Sequence, residues 1–174
     1  SIYFNREGRY DCEGFWNNPE GKYKDWFTFE ENGKYKSWWG IDTLPETNEE
    51  SSSFIEYITG ENGVIQKWLS LGAYGVRLDV ADELKNSTLN KILQSSKRNK
   101  FFIVIIGEVW ENASNKCNYG HKMEYFLGKE LTSVMNYPVK EAILAYIRYG
   151  NNNDNWAQVL KNTLIAIFIE EYPK

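Results

Sequence analysis

Tyr74-Gly75-Val76-Arg77-Leu78-Asp79-Val80-Ala81-Asp82-Glu83 and, further along, Ile105-Ile106-Gly107-Glu108-Val109-Trp110 are the stretches that decide the fold of this 174-residue chain. In each, a short apolar run delivers one carboxylate, Asp79 or Glu108, at its C-terminal end. Val76–Val80 and Phe101–Ile106 are near-continuous apolar, largely β-branched runs, the pattern of strands buried on both faces of a parallel sheet. Between them Leu84, Leu89, Ile92 and Leu93 fall at helical spacing among Lys, Asn, Ser and Gln, predicting a crossover helix with one apolar stripe. Strand, helix, strand at this length is a βαβ unit, whose parallel strands are usually neighbours.

The chemistry follows from that placement. Adjacent strands lie about 4.8 Å apart, so carboxylates at equivalent levels are expected roughly 5–5.5 Å from each other. That is the separation of a retaining glycoside hydrolase, in which one carboxylate is the nucleophile and the other the acid/base; inverting enzymes hold the pair about 6.5–9.5 Å apart to admit water. Arg77 and Asp79, two apart on one strand, share a face, and a guanidinium within reach favours the ionised form a nucleophile needs. Glu108 follows Gly107, whose missing side chain is read as room for substrate, and its apolar, Trp110-flanked setting predicts a pKa raised towards that of a general acid. Taken singly, each feature has a plainer reading: a structural Arg–Asp pair, or a glutamate that caps a helix.

Four motifs in order add a resemblance. Gly75-Val76-Arg77-Leu78-Asp79-Val80-Ala81 resembles the nucleophile motif of the α-amylase superfamily, and Gly107-Glu108-Val109-Trp110 its acid/base motif. Leu44-Pro45-Glu46-Thr47-Asn48 is similar to the motif after the third barrel strand in the neopullulanase, cyclomaltodextrinase and maltogenic amylase branch. Val134-Met135-Asn136-Tyr137-Pro138 resembles that branch's sixth strand. The resemblance implies an α/β fold built as a partial (β/α)8 TIM barrel, about strands four to six with their helices, plus an irregular domain B excursion. It divides the chain into 1–52, the excursion, and 53–174, the partial barrel. It implies α-glucan hydrolysis with Asp79 as nucleophile and Glu108 as acid/base, and places Arg77, Asp82, Glu83, Trp110 and Asn136 on the substrate side. Where that branch often carries Asn-Glu after the nucleophile motif this chain has Asp82-Glu83, which leaves the subsite preference open. The same residues would support transglycosylation or α-1,6 cleavage. A degenerate, non-catalytic carbohydrate-binding member is the alternative outside the enzyme class.

A (β/α)8 barrel takes about 250 residues, rarely fewer than 200. The family's Asp-and-His motif of the third strand and its His-Asp motif after the seventh have no counterpart here, and the one histidine, His121, falls after the fifth strand. The expectation is an internal piece of a catalytic domain, inactive alone, that self-associates or pairs with the rest of a barrel through its exposed sheet edges and faces.

Composition agrees. Aromatic residues make up 16% of the chain, and Trp16, Trp26, Phe27, Trp38 and Trp39 crowd the first forty positions. Most are read as the core of a loop-rich subdomain; some suit stacking on pyranose rings. Net charge is −4 with no basic run, giving no support to nucleic acid as a partner. Cys12 and Cys117 read as free thiols of a reducing compartment, so localisation leans cytoplasmic. No cofactor is required. The resemblance implies a family that often carries calcium near domain B, and Asn5, Asp11, Asn17, Asn18, Asp25 and Asp42 offer oxygens, yet their spacing matches no calcium loop and leaves calcium unsupported. No 18-residue apolar stretch is present.

Helices are predicted over Phe54 to Leu71 with a Gly60–Gly63 break, Pro138 to Tyr149, and Trp156 to Ile169. A strand is predicted over 131–137, and loops over 1–50 and 151–155.

Overall fold

A computed structural model describes residues 1–98, 103–118, 120–125, 129–150 and 155–171, and the side chains as far as 165. The chain divides into two compact units, Ser1–Gly63 and Val64–Lys174.

The first unit is held by aromatic packing rather than by a sheet. Its only ladder elements among the described residues are isolated antiparallel bridges, Phe27 with Thr47, Phe29 with Tyr35 and Ser37 with Pro45. Phe4 is 1% exposed and meets Phe27 and Tyr35 edge-on or tilted, both at 4.8 Å between ring centres, with Phe15 stacked at 5.8 Å. Trp26 is the second centre: Tyr3, Tyr23, Phe54 and Tyr57 surround it, and its indole N–H donates to Ser53 Oγ at 2.9 Å. Aromatic pairs at these angles add to the area they bury, which is how a segment so poor in regular structure acquires a core. Helix α1 (Ser52–Thr59) closes the unit, its start capped by Ser51 Oγ, which accepts from the Phe54 N–H.

In the second unit a three-stranded parallel sheet runs in the order β1 (Gly75–Leu78), β2 (Val104–Gly107), β5 (Ser133–Val134). The register pairs Gly75 with Val104 and Leu78 with Gly107, then Gly107 with Val134. Gly75 is required at its position, because a Cβ there would run into the Val104 carbonyl. Helix α3 (Asn86–Lys97) makes the crossover between β1 and β2 and buries Leu89, Ile92 and Leu93, the predicted stripe. Leu84, read as part of that stripe, lies ahead of the helix in extended backbone. Ile105, Val109 and Leu131 complete the core on the sheet.

The helix predicted from Phe54 to Leu71 is two helices, α1 and α2 (Val64–Ser70), interrupted where Gly60 and Gly63 stand; α2 packs on α3. The strand predicted over 131–137 is shorter, since strict pairing holds only for Ser133–Val134. Thr132 and Met135 extend the contact through hydrogen bonds to the Ile105 and Gly107 carbonyls. Helix α4 (Tyr137–Tyr149) begins directly after, and packs on α5 (Asn155–Glu171). A small antiparallel hairpin, β3 (Cys117–Asn118) and β4 (His121–Lys122), sits between β2 and β5 in sequence and carries the exposed His121. Both cysteines are free and exposed. The loop predicted at 151–155 lies, but for Asn155, outside the described residues. Among the described residues no helix is long and apolar enough to cross a membrane.

Candidate active site

Because Leu78 pairs with Gly107 in a parallel register, the next residue of each strand, Asp79 and Glu108, leaves the sheet at the same level and the same C-terminal edge. Arg77 joins them. Its Nη1 is ion-paired to Asp79 Oδ1 and its Nη2 lies 3.0 Å from Glu108 Oε2, so one guanidinium spans both carboxylates. Nη2 also donates to Met135 Sδ at 3.6 Å, bringing in the segment after β5. The two carboxylates differ sharply in setting: the Asp79 side chain is 75% exposed, that of Glu108 only 12%.

Glu108 is enclosed by donors from several segments. The Val80 N–H donates to Oε2 at 3.0 Å, the Trp110 indole donates to the carboxylate, and the Tyr137 hydroxyl donates to Oε1 at 3.1 Å. The main chain adds to the enclosure, with Glu108 N–H on the Leu78 carbonyl and Ala81 N–H on the Glu108 carbonyl, each 2.9 Å. This corrects the expectation of a raised pKa. The Val80 amide first, then Trp110, Tyr137 and Arg77, hold the Glu108 carboxyl down at about 2, outweighing the opposing effect of burial. Trp110 was read as an apolar neighbour; in the structure its N–H is what bears on the acid. The hydroxyl of Tyr137 is shifted the other way, upward, because it donates to Glu108.

The sign of the stability effect follows. A carboxyl lowered from 4.5 to about 2 stabilises the fold at pH above its ordinary value and loses that contribution as pH falls through the interval between them. A carbon-13 NMR titration of the glutamate carboxyls is expected to place Glu108 near 2, and Tyr137→Phe to move the midpoint upward. A midpoint in the ordinary glutamate range would show that these donors do not hold the carboxylate.

Val80 sits between the two carboxylates in left-handed backbone, φ 46° and ψ 47°. For a β-branched residue that conformation costs on the order of 1–3 kcal/mol and persists only where its surroundings enforce it. Here it aims the Val80 and Ala81 amides at Glu108.

The other predicted site residues are placed as follows. Asp82 and Glu83 lie in a 3-10 turn, Ala81–Glu83, directly after Val80; Asp82 is 5% exposed and turned inward, onto Lys116. Asn136 caps α4, its Oδ1 accepting from the Val139 N–H at 3.1 Å. The room at Gly107 is not open to substrate: a Cβ there would meet Leu131 and Ala81, so the glycine serves close packing beneath the site. Tyr137, Val80 and Lys116 were not singled out from the sequence as site residues; Tyr137 and Val80 stood inside quoted motifs, and Lys116 gave no signal. No group of three or more His, Cys, Asp or Glu side chains that could hold a metal ion occurs among the described residues. Of the oxygens offered for calcium, those of Asn5 and Asn17 are engaged in local turns, accepting from the Tyr10 and Gly14 N–H groups at 2.8 Å.

No family model matches. An amylopullulanase of Thermoanaerobacterium thermosulfurigenes is 32% identical over 201 residues, covering 99% of this chain and 10% of the relative. A cyclomaltodextrinase of Geobacillus thermopakistaniensis is 27% identical over 91% of this chain and 26% of its own length. The chain thus spans between a tenth and about a quarter of the curated relatives it matches. Among solved structures, the cyclic α-maltosyl-(1→6)-maltose hydrolase of Arthrobacter globiformis superposes on 90% of this chain and 34% of that one, with a TM-score of 0.73 at 21% identity, a likeness of fold. A cyclomaltodextrinase superposes with a TM-score of 0.65 at 26% identity over 91% of this chain and 26% of that one. The homologues of this chain are thus amylopullulanases, cyclomaltodextrinases and neopullulanases, which align with 75–99% of it, and its parallel sheet matches part of the barrel of structural neighbours in the α-amylase family.

Proposed function

We infer that this chain carries the nucleophile and the acid/base of a retaining α-glucan hydrolase acting on maltooligosaccharides, cyclodextrins or pullulan. What supports the reading is one observation above the others: Asp79 and Glu108 end adjacent parallel strands at one level, with a single arginine between them. In the reaction an Asp79 oxygen attacks the anomeric carbon as Glu108 gives its proton to the departing glycosidic oxygen, leaving a glycosyl ester on Asp79. A water that loses its proton to Glu108 then displaces the ester from the face the leaving group vacated, so the sugar keeps its configuration.

Ionised Glu108 is in the protonation state that the second step needs, but a carboxylate held at about 2 is a weak base until it sheds some of its donors. For the first step it must hold a proton, so a bound sugar has to displace some of its donors. Tyr137 and Trp110, which reach it from the segments after β5 and β2, are the ones positioned to yield. Glu83, Trp110 and Asn136, on the segments that follow β1, β2 and β5, are assigned to the substrate side. Asp82, buried with its carboxylate on Lys116 and its main-chain carbonyl on Asn118, is not assigned to it.

Since the chain spans a small part of its relatives, the activity is assigned to a protein that carries this segment within a complete barrel. The 174 residues alone are assigned little or no turnover and a tendency to self-associate, which the exposed Trp68, Leu71 and Tyr74 favour. The experiment is proton NMR of maltotriose hydrolysis by such a protein, following the anomeric signals, with the mass of the isolated chain read by light scattering. Release of the α-anomer first is expected; first release of the β-anomer would rule out the double displacement.

A further inference from the structure

The buried carboxylate of Asp82 is left over by this mechanism. Its Oδ2 is ion-paired to Lys116 Nζ, its Oδ1 is buried without a hydrogen-bond partner, and its main-chain carbonyl accepts from Asn118 Nδ2. The Lys116 side chain is itself only 14% exposed, and the other carboxylate it approaches is Glu111, at 3.7 Å. Lys116 and Asn118 belong to the loop and hairpin that follow β2, whereas Asp82 belongs to the turn that follows β1. The pair therefore ties together the two segments that leave the sheet beside Asp79 and Glu108.

That tie closes a circuit. From Asp82 the chain runs back through Ala81 and Val80, whose amides are bonded to the Glu108 carbonyl and to Glu108 Oε2. From Lys116 it runs back through the loop to Trp110, whose indole also bears on Glu108. The left-handed Val80 between them has no intrinsic reason to stay as it is and must be held from both sides. One side is Glu108; the other is the anchored Asp82.

We propose that Lys116 is a positioning residue: its buried ion pair with Asp82 holds the turn Val80–Glu83 in place, so that the Val80 amide stays on the Glu108 carboxylate. The proposal rests on reading Glu108 as the acid/base, and deepens it. Removing the lysine leaves Asp82 buried without its cation, the costly way to break such a pair. The turn then moves to bring that carboxylate to water, and the amide leaves Glu108. The groups facing Glu108 are Arg77, Tyr137, Trp110 and the Val80 amide, and those facing Lys116 are Asp82 and Glu111. Of these, only the Val80 amide and Trp110 are linked to Lys116 through its pair and its loop.

The test is carbon-13 NMR of the glutamate carboxyls in the 174-residue chain, with the Glu108 resonance assigned from Glu108→Gln. Lys116→Met is expected to raise the Glu108 midpoint by about one pH unit or more, at least a tenfold change in its ionisation constant, and Lys116→Arg to restore most of the difference. If Lys116→Met does not fold, the double variant Asp82→Asn with Lys116→Met removes both buried charges, the change better tolerated in interiors; it removes the anchor of the turn without stranding a carboxylate, so a smaller upward shift is expected. A folded variant without the ion pair whose Glu108 titrates as in the unaltered chain overturns the proposal, because a merely structural pair would lower thermal stability and leave that midpoint alone. No turnover is needed for this readout. Failure of Glu108→Gln to abolish hydrolysis in a complete barrel would remove the catalytic reading and leave the titration result standing.

Discussion

Asp79→Asn and Glu108→Gln, each introduced into a protein that carries this segment in a complete barrel, are expected to lower kcat for maltooligosaccharide hydrolysis by about 10⁴-fold or more, the scale for residues that act as a unit. The double variant should be little worse than either single one, for the same reason. Two features make the result interpretable. The Asp79 side chain is 75% exposed, so its replacement by the amide should leave the folded structure intact and isolate the chemical loss. Glu108→Gln removes the proton donor but not the nucleophile, so a substrate with a leaving group that departs without protonation, such as a glycosyl fluoride, should still be attacked by Asp79. The glycosyl ester would then accumulate, because no base activates the water, and mass spectrometry of the protein would find it. Near-normal hydrolysis of maltotriose or a cyclodextrin by either single variant would end the assignment.

The second large effect lies in the other unit and concerns stability. Phe4→Ala should destabilise the unit Ser1–Gly63 by about 3–5 kcal/mol, the cost of truncating a fully buried aromatic side chain. Phe4 is 1% exposed and touches Phe15, Trp16, Phe27 and Tyr35. A unit of this size has few other contacts to spare, since small domains bury a smaller share of their surface and are marginal to begin with. The loss is therefore comparable with the whole stability of the unit. Near-ultraviolet circular dichroism, dominated there by packed aromatic rings, should lose much of its signal at a temperature where the unaltered chain keeps it. Phe29→Ala, at a half-exposed ring, is the control and should cost far less. A Phe4 variant as stable as this control would mean that the aromatic cluster is not what holds the unit together.

The sequence by itself determined the α/β unit around the two carboxylates. Val76 to Leu78 and Val104 to Gly107 are short apolar runs broken only by Arg77, the pattern of strands in a parallel sheet. Leu89, Ile92 and Leu93 repeat at helical spacing, which only one face of a helix satisfies. Those constraints are local, so they are legible without a partner. They also carried Asp79 and Glu108 to one edge of the sheet, because a parallel register follows once the strands are adjacent. The interruption between α1 and α2 was legible for the same reason, from Gly60 and Gly63.

Only the tertiary structure decided the electrostatics of the site. Composition around Glu108 is apolar and pointed to a raised pKa; the fold brings it the Val80 amide, the Trp110 indole and the Tyr137 hydroxyl, and the sign reverses. Trp110 apart, nothing near Glu108 in sequence encodes this, because Tyr137 lies 29 residues away and the Val80 amide donates only when the turn adopts a left-handed backbone. Asp82 was placed on the substrate side and Lys116 gave no signal, yet the two, 34 residues apart, form a buried pair. Hydrophobic periodicity records which face of an element is covered; a hydrogen bond or ion pair depends on where several covered elements bring their polar atoms within 3 Å or so of each other. That second kind of information exists only once the chain has closed on itself.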